Sequence, residues 1–428
     1  MTDTLALAQA AKEAAIHLAA TPHETRNAAL RAIAEMLRAR AADIDAANAA
    51  DIEQARAEGL DAPLLKRLRF DAAKLEETLA GIAALASLPD PIGDTQRATE
   101  LSPGLDLYRV ACPIGVVGVI FESRPDALVQ IASLCLKSGN AVLLKGGREA
   151  ARTNRALFAA LVEAADAAGI PQGWAGLLES REEVAAMLRL DAYIDLIIPR
   201  GSNDFVRHIM ENSRIPVLGH ADGICAVYID RAADVDMAVR VAVDSKAQYV
   251  AVCNAAETLL VHREIAPRAL PPLAGAMEAA GVRLKGCART RALIPCEAAD
   301  DADYDTEYLD YVMAVRVVDS LQEAVAHINA HGSGHTDCIV TGDAEAARVF
   351  LALVDSAGVY HNCSTRFADG FRYGLGAEVG VATGKLHARG PMGLEGLCTY
   401  KYKLLGEGHV VAEFADGTRQ FTHHRIDI

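Results

Sequence analysis

From residue 105 onward the chain alternates β-branched or aromatic runs with amphipathic stretches of helical length, and this alternation limits its folds more than anything else. LDLYRVACPIGVVGVIFES has the residues of strands, DALVQIASLCLKSGN those of a helix closed by Gly139, and AVLLKGG those of a buried strand entering a turn. TNRALFAALVEAADAAG, YIDLIIPRGS, NDFVRHIMENS and GICAVYID then continue as helix, strand, helix and strand. Strands separated by helices of this length predict a parallel sheet covered on both faces. The texture resumes at TLLVH and runs through APRALPPLAGAMEAAG, AVRVVD, LQEAVAHINAHG, DCIVTG and DAEAARVFLALVDS, which predicts a second α/β unit.

The flanks differ. Residues 3–58 are Ala-rich with charges at helical spacing, which predicts two or three helices stopped at Gly59. DAAKLEETLAGIAALASL predicts another, ending at the turn signal PDPIG. The tail, CTYKYKLLGEGHVVAEF, alternates like a hairpin. A lone hairpin is barely stable, so it is expected to pair with another subunit, the rival being a return onto its own domain. No low-complexity linker and no solenoid-length repeat interrupts the chain.

Charge narrows the function classes. The formal net charge is −15, against broad binding to nucleic acid or to an anionic membrane, both of which need a basic face. A chain this acidic that handles an anionic substrate must concentrate Arg and Lys locally. The N-terminus lacks the apolar core of a signal peptide, and no charge-free apolar run reaches transmembrane length. Nine cysteines, none at CxxC spacing, fit neither a disulfide framework nor a thiolate metal site, so a reducing cytoplasm and no metal are expected.

Of these cysteines Cys253, in SKAQYVAVCNAAETLLVH, raises a choice. It reads either as inert packing in a small-residue run or as a nucleophile held on a turn before a strand. Composition alone favours packing.

PIGVVGVI (113–120), AVLLKGGREA (141–150) and the cysteine turn together resemble the aldehyde dehydrogenase superfamily. IFESRPDA, CNAAETLLVH, SGHTDCIVTGD, NCSTRFADG and KLHARGPMGLEGL, in that order, narrow the resemblance to the gamma-glutamyl phosphate reductase family of proline biosynthesis, over nearly the whole chain. The resemblance implies two Rossmann-like parallel α/β domains plus a small β oligomerisation flap. It places an NADP-binding domain at 1–230, interrupted by flap strands near 101–119, and a catalytic domain at 231–365. A return segment at 366–396 would line the site, and 397–428 would be the C-terminal β-hairpin of oligomerisation.

Site residues follow the same route. Cys253 becomes the expected nucleophile. Lys145 matches the lysine that reaches the adenosine ribose, and with Arg148 it makes a basic pair suited to a 2′-phosphate, favouring NADPH over NADH. Gly201 and Ser202 match the superfamily's Gly-Ser near the pyrophosphate and nicotinamide; Glu307 sits where relatives bind the nicotinamide ribose. No GxGxxG is present. Where many members place an oxyanion-binding Asn, this chain has Ser123-Arg124-Pro125, so the donors are the Cys253 amide plus Ser123 or Arg124, and Arg124 equally suits the substrate phosphate. Ser364, Thr365, Arg366, His387 and Arg389 are candidates for the substrate's anionic ends, with structural ion pairs as the alternative.

Two departures matter. Hydrolytic relatives carry a water-activating Glu in a stretch that here reads PVLGHADG, with Gly219 and His220 in its place, so water attack on a thioester would be unassisted. Val250 stands where the reductase family usually has Pro. The implied activity is NADPH-dependent reduction of L-glutamyl 5-phosphate to L-glutamate 5-semialdehyde through a cysteine thioester. A homo-oligomer, dimer or tetramer, and functional coupling to a glutamate 5-kinase are expected with it. The alternatives are a hydrolytic NAD(P)-dependent aldehyde dehydrogenase and an inactive nucleotide-binding scaffold.

Overall fold

The computed structural model describes residues 4–219 and 222–428. Three helices, Thr4–Leu18, His23–Ala39 and Ala41–Ala57, open the chain. The third ends where Gly59, at φ 77°, lets its own amide reach the Arg56 carbonyl and the Leu60 amide reach Ala55. That pair of bonds needs a left-handed residue after the cap, and glycine takes that conformation without a Cβ clash.

The first parallel sheet has the order Ala175–Leu178, Ala141–Lys145, Val116–Phe121, Leu196–Arg200. Its central strand, VVGVIF, is buried at every position, as a strand covered on both faces must be. Side chains alternate between the faces. Val117, Val119 and Phe121 meet Ile33, Leu37, Leu79 and Leu128 from the helices on one side. Val116 and Ile120 meet Ala8, Ala11 and Ala15 of the first helix on the other. Alanine at these three positions lets that helix lie close to the sheet.

The second sheet has seven parallel strands, in the order Glu297–Ala298, Arg283–Gly286, Val312–Val318, Ala256–His262, Cys225–Ile229, Thr336–Val340, Gly358–His361. Helices Val235–Ala247 and Ala266–Ala279 cover one face through Ala238, Ala242, Leu270 and Leu273. Leu321–His331 and Ala344–Leu353 cover the other through Ile328 and Phe350. Two parallel α/β units were the expectation, and two are present. Among the described residues no helix is long and apolar enough to cross a membrane.

The flap corrects two expectations. Its hairpin is Thr95–Ser102 with Leu105–Pro113, starting upstream of the expected 101–119 and ending within it, and Val116–Phe121 belongs to the first parallel sheet. The tail is not a hairpin. Cys398–Leu405 pairs antiparallel with Leu105–Pro113, and His424–Ile426 pairs with the opposite edge strand, so the two tail strands flank the chain's own hairpin. The helix Val411–Ala415 lies between them in sequence. Four strands replace an unstable pair, and the return onto the chain itself is the arrangement observed. Tyr402 and Leu404 stay 60% and 54% exposed along the outer edge strand.

Asn140 joins the tail to the first sheet. Fully buried, it accepts from the Gly115 amide at 2.8 Å and donates to the Leu397 carbonyl at 2.8 Å, one residue before the tail strand. Asn140→Ala would orphan both groups and is expected to lower stability by about 2–4 kcal/mol. Urea denaturation of the full chain measures this.

Candidate active site

Cys253 sits on the turn between the helix Val235–Ala247 and the strand Ala256–His262, closed by a bond from the Ala255 amide to the Val252 carbonyl. Beneath the turn, Lys246 at the end of the helix meets Glu257 at the start of the strand at 2.5 Å. Both side chains are out of water, 0% and 1% exposed. Burial pulls the Lys246 ammonium below its usual value and pushes the Glu257 carboxyl up to about 7, while each charge supports the other. The second Glu257 oxygen accepts from the Leu309 amide at 3.4 Å, which ties in the segment carrying Glu307.

From above, the NCSTRFADG stretch is stitched to the same turn. Asn254 donates to the Ala368 carbonyl at 2.8 Å, and the Thr365 hydroxyl donates to the Asn254 carbonyl at 2.7 Å. The Ser245 hydroxyl accepts from the Thr365 amide and donates to Ser364, whose oxygen accepts from the Arg366 amide. Ser364 and Thr365 are thus buried and committed to holding backbone. The effect is to bring Arg366, which donates to Gln248 at 2.9 Å, into the electrostatic field of Cys253.

The half-buried thiol faces a ring of charges. Burial pushes it up to about 12, Glu307 and Glu378 add to the rise, and Arg200 opposes it. Glu307 is held by Asn203, which donates to it at 2.6 Å. Glu378 accepts from the Gly370 amide at 2.9 Å, and burial raises its carboxyl too. Arg200, at the end of its strand, is pulled down by burial and by the neighbouring Arg124. Cys253, Arg124, Arg200, Arg366, Glu307 and Glu378 therefore form one coupled cluster. Arg200 and Glu378 carried no sequence signal of their own, beyond the position of Arg200 next to the matched Gly201-Ser202.

The cofactor candidates lie at the carboxyl ends of the first sheet, where open α/β sheets bind ligands. Lys145 is half-buried, its ammonium pulled down by burial and bonded to the Gly146 carbonyl at 2.7 Å. Arg148 is 85% exposed and reaches Glu58 at 3.4 Å. Gly201 and Ser202 open the helix Asn203–Asn212, whose cap has no side-chain bond. The Ser202 amide instead meets the Glu122 carboxylate at 3.3 Å. Ser123, at φ 45°, gives its amide and its hydroxyl to one oxygen of Glu149, at 2.8 and 2.6 Å.

Two candidates are engaged elsewhere. Arg389 donates to the Thr383 and Asp355 carbonyls and pairs with the Asp355 carboxylate. His387, exposed at φ 64°, bonds the Gly396 carbonyl at 2.9 Å. These contacts fold the 383–396 loop and do not lead to the thiol. His220 lies outside the described residues.

The "Aldehyde dehydrogenase family" model matches residues 2–288. The gamma-glutamyl phosphate reductase of Acetivibrio thermocellus is 58% identical over 416 residues, covering 97% of this chain and 96% of that one. That of Parasynechococcus marenigrum is 56% identical over 421 residues, covering 98% and 97%. The crystal structure of gamma-glutamyl phosphate reductase from Thermotoga maritima superposes with a TM-score of 0.93 at 39% identity, over 95% of this chain and 99% of that one. The chain belongs to the aldehyde dehydrogenase family, in its gamma-glutamyl phosphate reductase branch. An acetylating aldehyde dehydrogenase from Geobacillus thermoglucosidasius, at 16% identity and a TM-score of 0.64, shares the fold.

For this reductase-branch site two outcomes follow from the charges. Iodoacetamide labelling of Cys253 in the free protein is expected to keep accelerating above pH 10, because the thiol stands near 12. Removing a negative neighbour lowers that value, so Glu307→Gln and Glu378→Gln should each label faster than wild type at pH 8. A labelling plateau already reached at pH 8 in wild type would contradict the assignment. Lys246→Met leaves Glu257 buried without its partner and is expected to cost about 3–5 kcal/mol; Lys246→Met/Glu257→Leu should recover most of it in urea denaturation.

Proposed function

We propose that the protein reduces L-glutamyl 5-phosphate to L-glutamate 5-semialdehyde with NADPH, releasing phosphate, through a thioester on Cys253. The observation that carries this reading is the clamped cysteine turn with Arg200 and Arg366 in the field of its thiol, in a chain 58% identical over 97% of its length to a protein named for this reaction.

The cofactor fits what stands at the first sheet. The Ser202 amide, at a helix start with no side-chain cap, already attracts one carboxylate, Glu122, and would serve a phosphate in the same way. Lys145 and Arg148 would take the adenosine ribose and its 2′-phosphate, and Glu307 the nicotinamide ribose. When bound, NADPH supplies the hydride that reduces the thioester carbonyl carbon.

The remaining work belongs to the chain. Cys253 rests as a thiol and loses its proton as sulfur attacks the γ-carbonyl carbon. Glu378, whose field it feels and whose carboxyl burial raises, is the acceptor for that proton. The carbon–sulfur bond forms, the carbon–oxygen bond to phosphate breaks, and the arginines hold the departing dianion. Phosphate is a good leaving group and requires little acid help. After reduction the carbon–sulfur bond breaks, the aldehyde leaves, and the thiolate regains a proton.

The exposed outer edge of the flap suits pairing with a further copy, which makes a dimer or tetramer the natural assembly. Nine free thiols fit a cytoplasmic setting, and functional coupling to a glutamate 5-kinase would hand over a labile acyl phosphate directly.

The reverse direction gives the assay. NADP reduction with pyrroline-5-carboxylate, which equilibrates with the semialdehyde, should require inorganic phosphate. Cys253→Ser should lower kcat on the order of a thousandfold while NADPH still binds, as read by its fluorescence. Phosphate-independent formation of glutamate would instead mark a hydrolytic dehydrogenase, and near-normal turnover by the serine variant would remove the nucleophile.

A further inference from the structure

The geometry points to a subsite for the α-ammonium and α-carboxylate of the substrate in the cavity between the helices Ala72–Ser87 and Pro125–Lys137, closed by Phe371 and Ala377. This inference rests on the proposed function and names the part of that site which recognises the amino-acid end. None of the residues singled out from sequence lies in it.

The cavity holds about 270 Å³, and its polar groups are those a zwitterion requires. Lys74 supplies the cation. It sits 2.9 Å from Glu77 and 3.6 Å from Asp126, so the Asp126 contact is too long for a good hydrogen bond and is weak enough to exchange. A bound α-amino acid would exchange it without changing the net charge, its carboxylate turning to Lys74 and its ammonium to Asp126. Ser133 is the second, independent sign. It lines the same cavity, is 1% exposed, and its hydroxyl has no hydrogen-bond partner. A buried hydroxyl left unpaired costs about 1–3 kcal/mol, and a small shift of this side chain at the cavity wall would turn it to a polar ligand atom. Ile82, Leu85 and Val129 supply the apolar part of its wall.

The lining of the cavity adjoins the thiol's cluster along the chain. Arg200 feels the fields of both Asp126 and Cys253. Ala377 precedes Glu378, whose field reaches the thiol, and Phe371 follows Gly370, whose amide holds the Glu378 carboxylate. A substrate with its γ-carbonyl at sulfur would run its chain along this wall.

The test pairs substrate groups with protein groups in the reverse reaction of the full-length protein. The aldehydes are glutamate 5-semialdehyde, 5-oxopentanoate without the ammonium, and 4-aminobutanal without the carboxylate. Lys74→Met should raise KM for the first two by tenfold or more and leave 4-aminobutanal unchanged. Asp126→Asn should raise it for the semialdehyde and 4-aminobutanal, leaving 5-oxopentanoate unchanged. Ser133→Val should raise KM for the semialdehyde severalfold, with kcat and the Kd for NADPH kept in all three variants. Equal losses on every aldehyde, or no change in KM, would overturn the subsite.

Binding of L-glutamate to the Cys253→Ser protein, measured by calorimetry, reads the same pocket without turnover. It should vanish on adding Lys74→Met, and in wild type L-glutamate should compete with the aldehyde. Noncompetitive inhibition would place a free amino acid elsewhere and sink the assignment. If wild type fails to reduce NADP with phosphate while L-glutamate still binds through Lys74, the reaction falls and the amino-acid pocket stands.

Discussion

Everything at the active site is referred to one contact, the salt bridge between Lys246 and Glu257. A turn leaving a packed helix for a central strand has many ways to run, and a nucleophile on it needs one. Two opposite charges taken out of water can remain only if they meet, so the end of the helix and the start of the strand are held at a fixed separation. Such a pair is a poor source of net stability, because desolvation cancels most of the attraction. Its use is geometric. The Leu309 amide, bound to the same carboxylate, brings the Glu307 segment into the frame. Cys253 and Glu307 are then indexed to one point.

That frame also sets the resting state of the sulfur. With burial and two carboxylates acting against the charged form, and a backbone hydrogen bond and the field of Arg200 on the other side of the balance, Cys253 is held as a thiol. A standing thiolate in an open site invites oxidation, whereas a thiol that ionises only as it attacks is protected. An activated acyl phosphate tolerates this arrangement, since its leaving group departs without a proton. An unactivated ester or amide would not. The electrostatics of the free site thus suit the substrate that the relatives' name implies.

Strand and helix periodicity made both parallel units legible, because buried strands such as VVGVIF are short continuous apolar runs rich in β-branched residues and flanked by turn residues. The flap was harder. Thr95–Ser102 reads TQRATELS, too polar to stand out, since one side of its sheet faces water and its pairing depends on strands far along the chain. The tail's alternation was real, but alternation shows that a segment is a strand and not which strand it joins. The site divides in the same way. Cys253, Lys145 and Gly201-Ser202 carry local motifs. Lys246 and Glu257 flank the cysteine in the same stretch without standing out, and Glu378 and Lys74 carry no motif, because a lone charged residue looks like a solvated one until the fold buries it or turns it toward a neighbour. Arg389 shows the converse: its motif was conspicuous, and its donors are spent on Asp355 and Thr383.

The fate of the proposed thioester depends on what lies beside it, and Gly223, at the end of PVLGHADG, packs against the cysteine turn. A Cβ placed at Gly223 would fall 2.4 Å from the Cys253 Cα and 2.4 Å from its carbonyl oxygen, so no side chain fits at that position. The Cys253 carbonyl is also held from the neighbouring strand by the Cys225 thiol at 3.2 Å. Among the described residues of the segment the single carboxylate is Asp222, and its oxygens are taken by Asn203 and Arg207 at 2.8 Å each. Both oxygens are thus turned toward the helix Asn203–Asn212. The backbone approach at Gly223 leaves no room for a side-chain base at that point, and in the proposed reaction the thioester passes to hydride in one direction and to phosphate in the other.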